Sequence, residues 1–412
     1  MNTDSTISEA PCGIRLRSEA TARQEPRGFP WPTRVVSLAG ARAQAGRLAK
    51  KGRAPDISTF RLGQHASVNC ITINGKENGP VESIIRDEAK KLKAAILNQF
   101  VFADNNMYLT SLKKLVSEGA PIACLNHTVP GGKGIFSAQA IALSGIRNVE
   151  PVKVNGRRIG FVYEDGFARY CFLSNVFAQN VNGSRPEQAG IVFETLEKAM
   201  AQHGFQFTEI VRTWFFNDHI LDWYGEFNKV RTDFFKKTGI FEKTVPASTG
   251  IGAGNPHGAA LVGNVFAVQP KNGQVKIQAV PSPMQESALN YKSSFSRAIE
   301  LEYPTHRCLL ISGTASISKD GETAFLDDVV SQIDLTMRVA EALLQSRKMD
   351  WKSIFRGRVY FKHPDYLKYF EEYCQKHKIP GSHLAVAFTD MCRGALLFEI
   401  ELDALISKVS VQ

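Results

Sequence analysis

GSHLAVAFTDMCRGALLFEIEL, residues 381–402, holds two strand-like runs separated by a polar turn, and the second run carries Glu399 and Glu401 inside an otherwise apolar segment. Strand alternation predicts Leu397, Glu399 and Glu401 on one face and Leu396, Phe398 and Ile400 on the other. Reading backwards, the run is preceded by an aromatic helix pattern, PDYLKYFEEYCQKH (364–377), a strand, IFRGRVYFK (354–362), a longer helix, DDVVSQIDLTMRVAEALLQSRKM (327–349), and a strand, RCLLISGTASI (307–317).

The same order occurs earlier in the chain. RYCFLSNVF (169–177), SRPEQAGIVFETLEKAMAQHG (184–204), FTEIVRTWFF (207–216), ILDWYGEFNKVRTDFF (220–235) and PASTGIGAGNPHGAALVGNVFAV (246–268) repeat strand, helix, strand, helix, strand. In the first helix Ser184 is placed to N-cap, Pro186 sits early, Glu187 closes a capping box and Gly204 ends the element, with Val192, Leu196 and Met200 as its buried stripe. Val330, Ile333, Met337, Ala340 and Leu344 repeat the spacing in the second copy. Each copy reads as an α/β layer in which two helices cover one face of a mixed sheet. Residues 56–160 are expected to complete the first layer, with helices over VESIIRDEAKKLKAAILNQF (81–100) and YLTSLKKLVSEG (108–119) and a strand at RRIGFVYED (157–165).

The 412 residues, 43% hydrophobic, suffice for two domains, expected over 56–240 and 241–412. The net charge of +10 is concentrated in residues 1–55, which hold ten Lys/Arg against four Asp/Glu, so those residues are expected to form a disordered basic tail. The remainder is close to neutral, which argues against nucleic acid as a partner. No apolar run reaches the roughly 18–20 residues needed to cross a bilayer, so no membrane partner and a cytoplasmic location are expected. Seven cysteines form no C-x-x-C pair, and nine histidines show no H-E-x-x-H spacing, so neither a disulfide framework nor a metal site is expected.

The second copy resembles the RidA (YjgF) family. The ordered set VRTWFFNDHILDWYGEFNKVRTDFF (211–235), PASTGIG (246–252), NYKSSFSRA (290–298), SGTASI (312–317) and DMCRGALLFEIE (390–401) resembles the chorismatases, which are built on that fold and cleave chorismate into pyruvate and a ring product. The resemblance covers roughly residues 160–405. It implies two tandem RidA-like (YjgF-like, chorismate mutase-like) α+β layers, chorismate as the small-molecule partner, no cofactor, and a monomer or small homo-oligomer. The arginine that RidA deaminases carry in a Pro-Ala-Arg-Thr strand is absent. The corresponding stretches read Pro246-Ala247-Ser248-Thr249 and Leu384-Ala385-Val386-Ala387, so deaminase activity is not implied.

Chorismate carries two carboxylates and an enolpyruvyl ether, so cleavage needs cations to hold the anions and an acid to protonate the vinyl methylene. A Glu stays protonated near neutral pH when it is desolvated. The resemblance makes Glu399 that acid and Glu401 structural. Cys392 stands where 3-hydroxybenzoate-forming chorismatases carry cysteine and dihydrodiol-forming ones alanine. Arg231 and Arg169 are the expected carboxylate ligands, because a guanidinium matches a carboxylate in bidentate fashion. Tyr224 lies two helical turns before Arg231 on the same face. Ser248 and Thr249, in the Gly-rich loop, are expected to line the substrate. Tyr291, Ser294 and Arg297 are assigned to the pocket or its support, and Arg212 and Trp214 to packing and ion pairing. The alternative function is a non-catalytic RidA-like protein that binds a small carboxylate.

Overall fold

The structure, a computed structural model, describes residues 55–62, 66–76, 81–103, 121–127, 135–146, 148–291 and 293–408. The expected basic tail, except residue 55, and the expected helix at 108–119 lie outside these residues. Three mixed sheets follow one another along the chain. The first contains β1 (Asp56–Arg61), β2 (Ser67–Lys76), β3 (Ala94–Ala103), β4 (Ile122–Asn126) and β5 (Ile135–Ser144), in the order β1-β2-β5-β3-β4. The second contains β6 (Glu150–Val154), β7 (Arg157–Glu164), β8 (Ala168–Val176), β9 (Ile210–Asn217), β10 (Ala247–Gly252) and β11 (Leu261–Pro270), in the order β10-β9-β11-β8-β7-β6. The third contains β12 (Lys276–Val280), β13 (Ala298–Glu302), β14 (His306–Ala315), β15 (Ile354–Phe361), β16 (Leu384–Phe388) and β17 (Phe398–Ser407), in the order β12-β13-β14-β17-β15-β16.

One pattern therefore occurs three times: β2-β5-β3-β4, β8-β11-β9-β10 and β14-β17-β15-β16. In each, the last strand of the repeat inserts antiparallel beside the first, and the edge pair is parallel. The two expected layers are the second and third sheets. Residues 56–144 form a sheet of their own instead of completing the first expected layer, and the division expected at 240/241 falls between β9 and β10 of one sheet. The predicted helix over 81–100 ends early: α1 spans Val81–Lys91, and Ala94–Ala103 is β3.

Helices cover one face of each of the two later sheets, as their apolar spacing requires. α2 (Arg185–Ala201) and α3 (Ile220–Lys237) bury Val192, Leu196, Phe227 and Phe235 against the second sheet. The capping box between Ser184 and Glu187 is present. α4 (Val329–Ser346) and α5 (Leu367–His377) bury Ile333, Met337 and Phe370 against the third.

The other faces of the three sheets turn towards one another. Strand register gives three equivalent positions: Phe102 opposite Ser137, Phe216 opposite Val262, and Tyr360 opposite Glu399. Phe102 packs edge-on against both Phe216 and Tyr360, at centroid distances of 5.8 and 6.2 Å. The next layer holds Phe100 opposite Gln139, Trp214 opposite Asn264 and Arg358 opposite Glu401, with Arg358 3.7 Å above the Phe100 ring. The interior thus has an approximate three-fold axis within one chain. Its three seams differ in chemistry. Only the seam joining β10 to β14 has a carboxylic acid, Glu399, at the position that Val262 and Ser137 hold in the other repeats. At the seam between the third and first sheets, Asn74 and Ser137 bond the backbone of Leu384 and Val386 and close the gap.

Candidate functional site

The open seam contains a cavity of about 240 Å³. β17 supplies Glu399 to it, α3 supplies Tyr224, Asn228 and Arg231, β10 supplies Ser248 and Gly250, and the segment before β13 supplies Tyr291, Ser293 and Arg297. The turn before β17 adds Cys392, Arg393 and Leu396. Five of the seven site residues expected from sequence or their immediate function thus converge here: Glu399, Cys392, Arg231, Tyr224 and Ser248.

The other two do not line it. Arg169, at the start of β8, donates to Gln269 Oε1 at 2.7 Å and to the His203 carbonyl at 2.9 Å, and lies over the Phe205 ring. It ties a sheet edge to the loop after α2. Thr249 is buried behind the cavity, where its hydroxyl donates to Glu401 and accepts from Arg212 Nη2 and from the Gly313 amide at 3.1 Å. Alternation sends Ser248 and Thr249 to opposite surroundings. Ser294 supports the wall through Thr232 at 2.7 Å. The expected face of Leu397 is also reversed: β17 begins at Phe398, so Leu397 packs with the helix-side core and Leu396 lines the cavity.

Glu401 and Glu399 share a face but have opposite electrostatics. Burial pushes Glu401 up, but Arg358 at 2.8 Å, Arg212 at 3.0 Å and Arg356 at 3.6 Å outweigh it and hold the carboxylate below its ordinary value. The Trp214 indole N–H adds a bond of 3.1 Å. Arg212 and Trp214 accordingly have the ion-pair and packing roles expected of them. Glu399 is buried without such neutralisation. Desolvation first, then the negative Glu401 beside it, raise its pKa to about 8 against the opposing pull of Arg212 and Arg297. At neutral pH it is a protonated acid inside a cavity.

Gly313, on β14, makes room for it. A Cβ there would fall on Glu399 Oε1, and β14 carries a register shift between Ile311 and Thr314 at this point. Around the acid stand three guanidiniums. Arg231 donates to Asn228 Oδ1 at 2.6 Å and leaves its buried Nε without a partner. Arg297 donates Nε to the Glu286 carbonyl at 3.0 Å and leaves a buried Nη2 unpartnered. Arg393 is fixed by the Gly321 carbonyl at 2.7 Å. Arg393 and Asn228 had not been singled out in the sequence, although both lie within quoted motifs. The arrangement places three guanidiniums that can hold an anion and a neutral carboxylic acid on one cavity. Burial, with the neighbouring Glu399, pushes the Cys392 thiol up to about 12, so it meets the cavity as a neutral S–H. Among the described residues no group of three His, Cys, Asp or Glu side chains could hold a metal ion, and no helix is long and apolar enough to cross a membrane.

No family model matches the chain. A 3-hydroxybenzoate synthase from Streptomyces hygroscopicus is 25% identical over 277 residues, covering 60% of this chain and 77% of that protein. A chorismatase crystal structure superposes with a TM-score of 0.61 at 17% identity, over 83% of this chain and 99% of that one. A YjgF/YER057c/UK114-family protein from Mycobacterium tuberculosis aligns with 32% of this chain and 100% of its own, at 21% identity and a TM-score of 0.26.

Proposed function

We propose that this chain, similar in sequence to a 3-hydroxybenzoate synthase and in fold to a chorismatase, cleaves the enolpyruvyl ether of chorismate and releases pyruvate and 3-hydroxybenzoate, with Glu399 as the general acid. The observation that carries this reading is a buried carboxylic acid, its pKa raised to about 8, in one cavity with Arg231, Arg297 and Arg393. The guanidiniums of Arg231 and Arg297 in the cavity wall suit the two carboxylates of the substrate.

In this scheme the Glu399 proton passes to the terminal methylene, leaving an oxocarbenium carbon. The neighbouring ring hydroxyl adds to that carbon, and its proton returns to Glu399. Cleavage of that oxygen's bond to the ring, and of the side-chain carbon's bond to the other oxygen, releases pyruvate. Loss of the ring hydrogen beside the retained oxygen as a proton completes the aromatic ring, and no water is consumed overall. Purified protein incubated with chorismate should release pyruvate and 3-hydroxybenzoate in equal amounts, read by a coupled assay and chromatography. A folded protein that binds chorismate without releasing pyruvate would overturn the enzyme reading in favour of a carboxylate-binding protein.

Two variants refine this. Cys392 supplies bulk and a neutral thiol beside the acid, so Cys392→Ala opens room for water to attack in place of the ring hydroxyl. The expected product then shifts towards the dihydrodiol while pyruvate release continues, and an unchanged product would remove Cys392 from the selectivity argument. Gly313→Ala displaces the Glu399 carboxyl and is expected to lower kcat by about 100-fold, the scale of a misplaced reacting group, with circular dichroism unchanged.

A further inference from the structure

Beyond the layer of Phe100, Trp214 and Arg358, side chains from all three sheets enclose a second cavity, of about 120 Å³, separate from the one that holds Glu399. Leu97 and Leu143 come from the first sheet, Tyr170 and Phe266 from the second, Leu301 and Leu310 from the third. Three charged residues also line it, Arg356, Asp403 and Arg212. Asp403 is buried and spends Oδ2 on Arg356 at 2.6 Å, while its Oδ1 is buried with no partner. Arg212 is fully buried, bonded through both terminal nitrogens to Ile311, Thr249 and Glu401, and its Nε is also without a partner. Such atoms are costly when left unmatched.

We propose that this cavity is a second small-molecule site, for an uncharged single aromatic ring bearing one hydroxyl, of the phenol class. Size and chemistry both select that class. A dry apolar cavity of about 150 Å³ takes up benzene, and this one is close to that size. A hydroxyl both donates and accepts, which suits a wall whose residues hold an unpartnered carboxylate oxygen and an unpartnered guanidinium nitrogen. A carboxylate is excluded by the unpartnered Asp403 oxygen, and chorismate by volume, so the ligand differs from the substrate of the Glu399 cavity. Val68, Cys308 and Leu405, each only partly buried, form the rim through which a ring can enter.

Calorimetric titration of the full chain with phenol, benzene and benzoate tests this, together with a crystal soaked in phenol. The expected results are binding of phenol about tenfold or more tighter than benzene, the scale of a buried hydroxyl pairing with a charged group, and a phenol isotherm unchanged by saturating benzoate. Val68→Phe should fill the rim and weaken phenol by at least about tenfold while pyruvate release is retained. Equal affinity for phenol and benzene, competition by benzoate, or undiminished binding to Val68→Phe would overturn the proposal. So would electron density for phenol beside Arg231, or water alone against Asp403, an outcome that does not depend on the variant folding.

Discussion

Glu399→Gln is expected to abolish pyruvate release and to make the protein more stable at pH 8. The first effect follows from the loss of the carboxylic acid of the cavity, a far stronger acid than the Cys392 thiol or the Tyr224 and Tyr291 hydroxyls beside it. General acid catalysis contributes typically about 10²–10⁴-fold, and a fall of that size in kcat, with chorismate still bound, is the expected kinetic outcome. The second follows from linkage. The folded pKa of Glu399 lies at about 8, above its ordinary 4.5, so between those values the folded state keeps a proton that the unfolded chain has lost. Its contribution to stability therefore declines as pH rises through that window, by about 1.4 kcal/mol per pH unit at most, and levels off above pH 8. Glutamine has no proton to lose. Denaturant titrations at pH 5 and pH 8 should show the variant gaining on the wild type at the higher pH. Wild-type activity should fall as pH rises through about 8, because the acid is then ionised. Activity that stays flat well above pH 8, or a stability difference independent of pH, would remove Glu399 from the role assigned to it.

Glu401 should behave in the opposite way. Glu401→Gln leaves Arg358, Arg212 and Arg356 buried around a neutral amide, and breaking a buried charge network of this kind costs about 3–5 kcal/mol. In a chain of this size that corresponds to a drop of roughly 5 °C in the thermal midpoint. The loss belongs to the unpaired arginines rather than to the missing carboxylate alone. Adding Arg358→Met should therefore recover part of it, and a double-mutant cycle on denaturant midpoints measures how much. If Glu401→Gln unfolds at the wild-type midpoint, the arginines are solvated or paired elsewhere.

Much of this arrangement is legible in the chain because it is local. The capping box at Ser184 and Glu187, the helix stripe of Val192 and Leu196, and the shared face of Glu399 and Glu401 each depend on residues within a few positions of one another. The first sheet is less legible for physical reasons. KLKAAILNQF continues the helical spacing of α1, and β5 interrupts its Ile, Phe and Leu with Ala, Ser and Gln, which fit a strand between two others without announcing it. The site residues divide along the same line. Arg231 and Tyr224 are seven residues apart on one helix and come as a pair. Arg169 has the right chemistry at the wrong end of a strand, and alternation cannot tell which end meets the neighbouring sheet. Thr249 and Ser248 are adjacent, yet one faces the cavity and the other the Glu401 cluster. Arg393 is placed by a turn, whose path no periodicity encodes.

The three equivalent sheets lie in one chain, so the three seams are free to mutate independently. In an assembly of identical subunits, a buried acid introduced at one seam appears at all of them, and its pH-dependent destabilisation is multiplied by three. Here that penalty arises once, at Glu399, while the matching positions of the other two seams hold the uncharged Val262 and Ser137. Joining the repeats end to end thus lets a buried, ionisable position be confined to a single third of the molecule, with the remaining two thirds left to hold it in place.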